Sequence, residues 1–456
     1  MPASRFGTPR SYPCAPTFCA NSFRLIQFRK NVSANPLDSH SFKTKDLKPF
    51  RFTHFQKRWG VGAPSSYNSS ARRHSHLTAD ASAPMNSTLK NILDLYDPSA
   101  PLAQASTIPA PWYVDPRFAE LERRAVFGRA WQAVGRADQL REKGNFLTAE
   151  LAGEPIVVVR GEDGVVRGFF NVCRHHAAAV VTEPQGHAAQ FRCPYHGWTY
   201  GTDGALKGVP EFEGVCNFDR AKNGLLPVRA EIWENFVFVN LDPQAKPLRE
   251  FLGRLVSRVE PLRLGELRFF ERRTYTLQCN WKVYVDNYLD GGYHVPHLHK
   301  GLNSVLDYTH YTIENFEHCC VQSSPVRSDA DSDAAAAATR QGRAFYLWLY
   351  PNFMINAYEG VMDTNLVLPL GVDRCAVVFD FYFKGIAAEA QAHHRESIAV
   401  SEKVQAEDVA ICEAVQRGLH SRAYAAGRLS VRRESGEHLF HRLLHADLTQ
   451  AAAAAE

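Results

Sequence analysis

The chain has 456 residues, of which 45% are hydrophobic and 22% charged, a composition typical of a globular protein with room for two or three domains. No stretch approaches the roughly eighteen consecutive apolar residues of a membrane span, so we expect no membrane insertion. The net charge of +4 is unevenly distributed, because residues 1–75 hold thirteen Lys or Arg against two acids, Asp38 and Asp46. The basic character is therefore confined to the N-terminus.

The N-terminal 80 residues have the composition of an organellar import signal. They are rich in Ser, Arg, Pro and Phe, poor in acids, and show no helical or alternating apolar pattern. A secretory signal does not fit, because no continuous apolar core is present. A basic arm for nucleic acid is the rival interpretation, but no basic stripe interleaved with aromatic residues supports it. We predict a transit peptide over residues 1–80 and no nucleic-acid partner.

The ten cysteines follow no regular spacing, and Cys14 and Cys19 lie in the predicted transit peptide. This pattern is not that of a secreted disulfide framework. We expect reduced thiols, as in a reducing organellar matrix, at Cys216, Cys279, Cys319, Cys320, Cys375 and Cys412.

The first structured segments predict a short helical region followed by a mostly β domain. In "DPRFAELERRAVFGRAW", Asp115 is a candidate N-cap and Pro116 a candidate first helical residue. In "PIVVVRGEDGVVRGFFNV", two β-branched runs flank turn residues and predict a hairpin. "ENFVFVNLD" predicts a further strand. We expect an N-terminal helical segment over residues 88–140, packed on the catalytic domain, and a mostly β domain over residues 141–245.

The second half of the chain predicts an α+β domain over residues 246–448. Helical patterns that begin in "NWKVYVDNYLD" alternate with strands such as "CAVVFDFYF" at Cys375–Phe383. The low-complexity stretch at Arg327–Gln341 is predicted to be a surface loop. Residues 449–456 are predicted to be a disordered tail. The predicted fold class of the whole chain is α+β, with the mostly β domain first.

Two cysteine–histidine pairs in the mostly β domain predict a metal site. Cys173 and His175 form the first pair, and Cys193 and His196 form the second. Zinc accepts two thiolates and two imidazoles. A Rieske [2Fe–2S] cluster uses the same set, with two cysteines on one iron and two histidines on the other. Each pair here contains one Cys and one His, whereas classical zinc fingers pair Cys with Cys and His with His. We therefore predict the Rieske cluster.

A second cluster of metal-binding side chains lies in "NWKVYVDNYLDGGYHVPHLHK". The segment starts as a helix on which Asp286, Asp290 and His294 recur every four residues. His294 and His299 would lie about 140° apart on a straight helix. The segment contains residues that should break the helix and let both imidazoles converge: Gly291, Gly292 and Pro296. Two histidines and a distant carboxylate form the facial triad of non-haem Fe(II) oxygenases. The alternative is a polar helix end with satisfied histidines, which we accept for His297 alone.

These motifs resemble those of the α-subunits of Rieske non-haem iron oxygenases, and specifically of plastid choline monooxygenases. The resemblance covers most of residues 105–448. It rests on "NVCRHHA", "CPYHGWTYG", "NWKVYVDNYLDGGYHVPHLHKGL", "YPNFMINAY", "MDTNLVLPLG" and "EDVAICEAVQRGL". It implies a Rieske domain followed by a catalytic domain with a helix-grip-like antiparallel sheet. It also implies two cofactors, the [2Fe–2S] cluster and a mononuclear Fe(II).

The resemblance further implies roles for carboxylates near the iron. The family's carboxylate ligand lies in a late helix, where Asp408 holds the matching position and Glu407 is its neighbour. The acid that links the two metal centres lies three residues before the first iron histidine in many relatives, where this chain has Gly291. We therefore assign that role to Asp290, one residue earlier. The chain also departs from the family at His176, where an arginine is usual, and a ligand role for His176 in place of His175 is left open.

The implied reaction is hydroxylation of choline to betaine aldehyde hydrate, the first step of glycine betaine synthesis, with O₂ and reduced ferredoxin as co-substrates. Aromatic side chains suit a quaternary ammonium. Val361 stands where close plant choline enzymes carry a tryptophan, so glycine betaine and carnitine are alternative substrates. A Rieske electron carrier or a structural zinc protein is the alternative from another class. We expect a homo-oligomer, a ring-type trimer, in the chloroplast stroma or else the mitochondrial matrix.

Overall fold

The computed structural model describes residues 88–327 and 333–455. The predicted transit peptide, with Cys14 and Cys19, lies outside these residues. None of the helices in the described ranges is long and apolar enough to cross a membrane. The helices are α1 (Leu89–Leu93), α2 (Pro111–Val114), α3 (Pro116–Glu122), α4 (Leu248–Leu252), α5 (Leu255–Val259), α6 (Trp281–Leu289), α7 (Val295–Leu298), α8 (Lys300–Val305), α9 (Ala334–Thr339), α10 (Gln391–Leu419) and α11 (Ser435–Ala455).

The strands form antiparallel sheets, as the prediction of an α+β fold requires. They are β1 (Gln132–Arg136), β2 (Asn145–Leu151), β3 (Glu154–Arg160), β4 (Val166–Phe170), β5 (Gln185–His187), β6 (Gln190–Arg192), β7 (Thr199–Gly201), β8 (Leu206–Gly208), β9 (Pro227–Trp233), β10 (Phe236–Asn240), β11 (Arg268–Leu277), β12 (Thr312–Asn315), β13 (Cys319–Pro325), β14 (Arg343–Leu349), β15 (Phe353–Tyr358), β16 (Val361–Gly371) and β17 (Arg374–Phe383).

The first half of the fold is a mostly β domain. A seven-stranded sheet has the order β1-β10-β9-β4-β3-β2-β5, and a three-stranded sheet has the order β6-β7-β8. The predicted hairpin is confirmed, because β3 and β4 pair in antiparallel register from Ile156 opposite Phe170 to Arg160 opposite Val166. The predicted strand in "ENFVFVNLD" is β10. The strand β1 begins before residue 141, so the β sheet includes residues of the predicted N-terminal segment.

The second half is built on a seven-stranded antiparallel sheet with the order β11-β17-β16-β15-β14-β13-β12. Its core packs the sheet against α6, α10 and α11, with Trp281, Trp348 and Phe440 completely buried. The helices α2 and α3 contribute Trp112 and Phe118 to the same core. Asp115 caps α3 by accepting a hydrogen bond from the backbone of Arg117, which confirms the predicted N-cap. The N-terminal helices are therefore part of the packing that supports the second sheet.

The helix α6 ends at Leu289, just before the two glycines that were predicted to break it. Gly291 and Gly292 have positive φ angles of 69° and 68°, in the left-handed region that favours glycine. A Cβ at Gly291 would also collide with the backbone oxygen of Arg433. The chain turns here and starts the short helix α7, with His294 immediately before it and His299 immediately after it. The break brings the two histidines together, with their ring centroids 4.8 Å apart.

Two predictions about irregular segments were wrong. Within Arg327–Gln341, residues 334–339 form α9, and Arg340 is 4% exposed rather than part of a surface loop. The run of alanines has high helix propensity, and Asp333 caps the helix by accepting a hydrogen bond from the backbone of Ala336. The predicted tail is also helical, because α11 continues to Ala455, with Ala451 and Ala452 packed against the core.

Candidate metal centres

Two similar loops bring the cysteine–histidine pairs together. One follows β4 and the other follows β6. In each, the cysteine oxygen accepts a hydrogen bond from the amide four residues later, from Ala177 to Cys173 and from Gly197 to Cys193, both at 3.0 Å. Both thiols are buried. Burial raises the pKa of Cys193, and the Cys173 thiol raises it further.

The histidine rings of the two loops lie side by side. The rings of His175 and His196 are 4.7 Å apart, and Trp198 stacks on His175 with an interplanar angle of 6°. The Nδ1 atom of His175 is buried and has no hydrogen-bond partner among the described residues. An orphaned imidazole nitrogen beside two buried thiols matches the donor set of a Rieske [2Fe–2S] cluster. His176 is exposed, and its ring lies 5.3 Å from that of His196.

A tyrosine hydroxyl lies beside one of the thiols. The Tyr200 hydroxyl is 3.3 Å from Cys173 Sγ and accepts a hydrogen bond from the Arg174 backbone at 2.9 Å. Burial and the Cys173 thiol raise the pKa of Tyr200, so the hydroxyl keeps its proton. It can donate that proton to a cysteine sulfur and stabilise negative charge on it.

The second candidate centre lies between α6, α7 and α10. Single nitrogen or oxygen atoms of His294, His299 and Asp408 all lie within 4.8 Å of one another. Asp408 Oδ1 is 3.0 Å from His299 Nε2 and 3.9 Å from His294 Nε2. The amide of Asn287 donates to the same oxygen at 2.8 Å. Two imidazoles and one carboxylate that face a common point fit the facial arrangement of a mononuclear Fe(II) site.

The Nδ1 atom of each imidazole lies beside a further carboxylate, a different one for each ring. Asp290 Oδ2 lies 2.6 Å from His294 Nδ1, and Glu407 Oε2 lies 2.7 Å from His299 Nδ1. With Nδ1 as the donor, each Nε2 has a free lone pair for a metal. Burial alone lowers the pKa of His299, but Asp408 and Glu407 raise it overall. Sequence spacing did not predict this role for Glu407, because the contact joins residues 108 positions apart.

Asp286, although it lies on the same face of α6, has other partners. Its Oδ2 accepts a hydrogen bond from the Tyr113 hydroxyl at 2.5 Å, and its Oδ1 is 3.0 Å from His441 Nε2. Asp290, by contrast, also accepts from the backbone of Tyr293 and of His294. Asp286 therefore ties α6 to α2 and α11, and Asp290 is the acid at the metal-binding turn.

A cavity of about 90 Å³ opens beside His294, His299 and Asp408. Its walls include several aromatic rings, namely Tyr284, Tyr288, Tyr311, Tyr346, Tyr358 and Phe379. Burial raises the pKa of Tyr288, Tyr311 and Tyr346 well above the usual value, so these hydroxyls stay neutral. The cavity is also lined by two buried ionisable side chains, those of Asp363 and Arg340.

Comparisons with known proteins agree with this geometry. A profile described as "Rieske [2Fe-2S] domain" matches residues 130–219, and one described as "Ring hydroxylating alpha subunit (catalytic domain)" matches residues 264–450. The chloroplastic choline monooxygenase of Arabidopsis thaliana is 41% identical over 373 residues, which cover 79% of this chain and 87% of that protein. The chain belongs to the Rieske non-haem iron oxygenases. It is therefore an oxidoreductase, a monooxygenase that uses a Rieske cluster and a mononuclear iron.

Two further similarities concern relatives of this Rieske oxygenase. The carnitine monooxygenase oxygenase subunit of Escherichia coli K12 is 32% identical over 328 residues, which cover 70% of this chain and 86% of that protein. A solved quaternary ammonium Rieske monooxygenase matches with a TM-score of 0.67 and 27% identity, over 76% of this chain and 95% of that one. The match of the catalytic domain argues against a bare electron carrier, and the match of the Rieske domain argues against a structural zinc protein.

Proposed function

We propose that this Rieske oxygenase hydroxylates choline at its carbinol carbon and so begins glycine betaine synthesis. The observation that carries the proposal is the aromatic cavity next to His294, His299 and Asp408. A trimethylammonium group has no proton to donate in a hydrogen bond, so aromatic faces are its natural contacts. The named activity of the Arabidopsis relative supports choline as the substrate.

We assign the metal ligands from the same geometry. Cys173, His175, Cys193 and His196 would hold the [2Fe–2S] cluster by their positions in the two loops, where a nitrogen of His176 also lies within 4.8 Å of the other two imidazoles. His294, His299 and Asp408 would hold the iron. When bound, the two metals supply the electron transfer and O₂ activation that no side chain can perform. The balanced reaction takes choline, O₂, two electrons and two protons to betaine aldehyde hydrate and water.

The residues of the chain position the reactants. The rings of Tyr346 and Tyr358 meet edge to face with centroids 6.2 Å apart, and their hydroxyls are 3.1 Å apart. The Tyr288 hydroxyl donates to Asn356 Oδ1 at 2.9 Å, which fixes that ring in the cavity wall. These rigid contacts exclude water from the apolar head of the substrate. They leave the carbinol end of the substrate free to face the iron ligands.

Asp290 is proposed to link the two metal centres. Its carboxylate holds His294 Nδ1, and it lies on a partly exposed turn that a second chain could approach. A carboxylate can accept a hydrogen bond from an imidazole on each side of a subunit boundary. We propose a ring-type trimer in which the cluster of one chain serves the iron of its neighbour, with reduced ferredoxin as the electron donor.

We also propose that the enzyme works in the chloroplast stroma. The composition of residues 1–80 and the chloroplastic names of the plant relatives support this location. The mitochondrial matrix is the alternative. Import of residues 1–90 fused to a fluorescent protein would distinguish the two organelles.

The test of the proposed reaction is product analysis with the purified holoenzyme. The enzyme is supplied with reduced ferredoxin and O₂ and is offered choline, glycine betaine and carnitine separately. We expect betaine aldehyde from choline, in stoichiometric proportion to O₂ consumed. The alternative substrates are carnitine, which the name of the bacterial relative favours, and glycine betaine. Turnover of either one without turnover of choline would refute the proposal.

A further inference from the structure

We propose that Asp363 is the counter-ion that the iron cavity offers to the cationic head of the substrate, and that Arg340 and Ser401 position it. The inference rests on the proposed trimethylammonium substrate and adds a residue that distinguishes a cation from a neutral molecule of the same shape. Asp363 lies on β16, lines the cavity, and is 3% exposed.

The hydrogen bonds of Asp363 leave its charge directed at the cavity. Asn356 Nδ2 donates to Oδ2 at 2.7 Å, and Ser401 Oγ donates to Oδ1 at 3.4 Å. A quaternary ammonium cannot donate a hydrogen bond, so a carboxylate can attract it only by charge. The lone pairs of that carboxylate must then be satisfied by other groups. Asn356 and Ser401 are neutral donors, which satisfy the oxygens without cancelling the charge.

Arg340 is the positive charge linked to Asp363 through Ser401. Its Nη2 donates to Ser401 Oγ at 2.8 Å, so the guanidinium reaches Asp363 through a serine hydroxyl. Burial raises the pKa of Asp363, while Asn356, the Arg340 charge and Ser401 oppose that rise. Arg340 also lies over the ring of Tyr358, with Cζ 5.0 Å from the centroid. The arginine thus supports both the charge and one aromatic wall.

Asp380 shows how a purely structural acid on this sheet is arranged. It lies opposite Thr364 on the neighbouring strand and is similarly buried. Arg272 donates to both of its oxygens, at 2.6 and 2.7 Å, in a direct bidentate pair. Asp380 does not line the cavity beside the iron ligands. The different partners of the two acids indicate different roles, and Asp380 supplies a matched control.

The experiment compares binding and turnover in the holoenzymes of the wild type, Asp363→Asn and Asp380→Asn. The probes are tetramethylammonium, choline, and the carbon isostere of choline in which a tert-butyl group replaces the trimethylammonium. We expect Asp363→Asn to weaken tetramethylammonium binding, measured by calorimetry, about tenfold or more. The preference for choline over the neutral isostere in kcat/KM should fall by the same factor. Asp380→Asn should change neither ratio.

Arg340→Gln tests the positioning role. We expect KM for choline to rise several-fold at nearly constant kcat, and its effect should not add to that of Asp363→Asn. If Arg340→Gln instead removes turnover of glycine betaine or carnitine while choline turnover stays the same, the arginine recognises a substrate carboxylate and the proposal is wrong.

The binding measurement keeps the inference separate from the proposed reaction. If the wild type binds tetramethylammonium through Asp363 but does not oxidise choline, the counter-ion stands and the proposed reaction fails. If Asp363→Asn binds tetramethylammonium as tightly as the wild type does, the counter-ion is refuted, whatever the substrate. Circular dichroism and the iron content confirm that each variant is folded and loaded. Should Asp363→Asn fail to fold, Ser401→Ala provides the same comparison, with a smaller expected loss and the same refuting result.

Discussion

Replacing Lys282 by methionine should strongly destabilise the catalytic domain, because it breaks a buried ion pair between the N-terminal helices and α6. The Lys282 side chain is completely buried, and its Nζ lies 2.6 Å from Glu122 Oε1. The other oxygen of Glu122 accepts a hydrogen bond from Trp281 Nε1 at 2.7 Å. Burial lowers the pKa of Lys282, while Glu122 opposes that effect, so the ammonium depends on this partner.

The expected loss follows from the burial of both partners. Removing one member of a buried pair typically costs about 3–5 kcal/mol, because the other charge is left uncompensated. Methionine fills most of the volume of the lysine stem, and Trp281 still donates to Glu122. We therefore expect a loss of about 3 kcal/mol, which corresponds to a fall in Tm of roughly 6–12 °C for a domain of this size.

Thermal and urea unfolding followed by tryptophan fluorescence would measure the loss. The surface pair of Lys246 and Glu250 supplies the control, because both side chains are more than half exposed and Lys246→Met should leave stability unchanged. A double variant, Glu122→Gln with Lys282→Met, should recover part of the stability, since it leaves no buried charge and its amide oxygen can still accept the hydrogen bond from Trp281 Nε1. Wild-type stability in Lys282→Met, or a double variant as unstable as the single one, would refute the reasoning.

Four further predictions concern the metal centres. Cys193→Ser should abolish the visible iron–sulfur absorption, whereas His176→Ala should retain it, and a retained cluster in Cys193→Ser would overturn the ligand assignment. Asp408→Ala should lose mononuclear iron and product while the Rieske signal in electron paramagnetic resonance persists. Glu407→Gln should only weaken iron binding, by about 10- to 100-fold. Asp290→Asn should keep both metals and the oligomer yet slow single-turnover oxidation of the reduced cluster by orders of magnitude, and a wild-type rate would indicate that Asp290 only caps the turn.

Features of the fold that depend on neighbouring residues could be predicted from the sequence. The Asp115 cap, the β3–β4 hairpin and the end of α6 just before Gly291 each follow from local backbone preferences. The spacing of His294 and His299 belongs with these features, because the helix break between them is also local. Such signals lie within about ten residues of chain, and the structure reproduces them.

The predictions that failed, and the residues that were missed, depend on contacts between distant parts of the chain. The alanine-rich segment was read as a surface loop from its composition, yet α9 packs beside α10 and brings Arg340 to Ser401 across 61 residues. The sequence assigned no role to Asp363, which appeared only within the motif "MDTNLVLPLG". Its position in the cavity depends on the register of β15 and β16, which places it opposite Asn356. No local pattern encodes that register.

The two iron-site histidines are held by different kinds of contact, and this difference follows from the fold. Asp290 holds His294 from four residues away on the same turn, so that imidazole is oriented locally. His299 lies between Glu407 and Asp408, which are consecutive on α10 and project about 100° apart, so one helix fixes both of its nitrogens. The orientation of His299 therefore depends on how α10 docks on α6.

Two hydrogen bonds join α6 and α10 beside the iron site. One runs from Tyr284 to Gln405, at 2.6 Å, and the other from Asn287 to Asp408. Packing between α6 and α10 is thus a condition for the facial arrangement itself, because without it one imidazole would keep its orientation and the other would not.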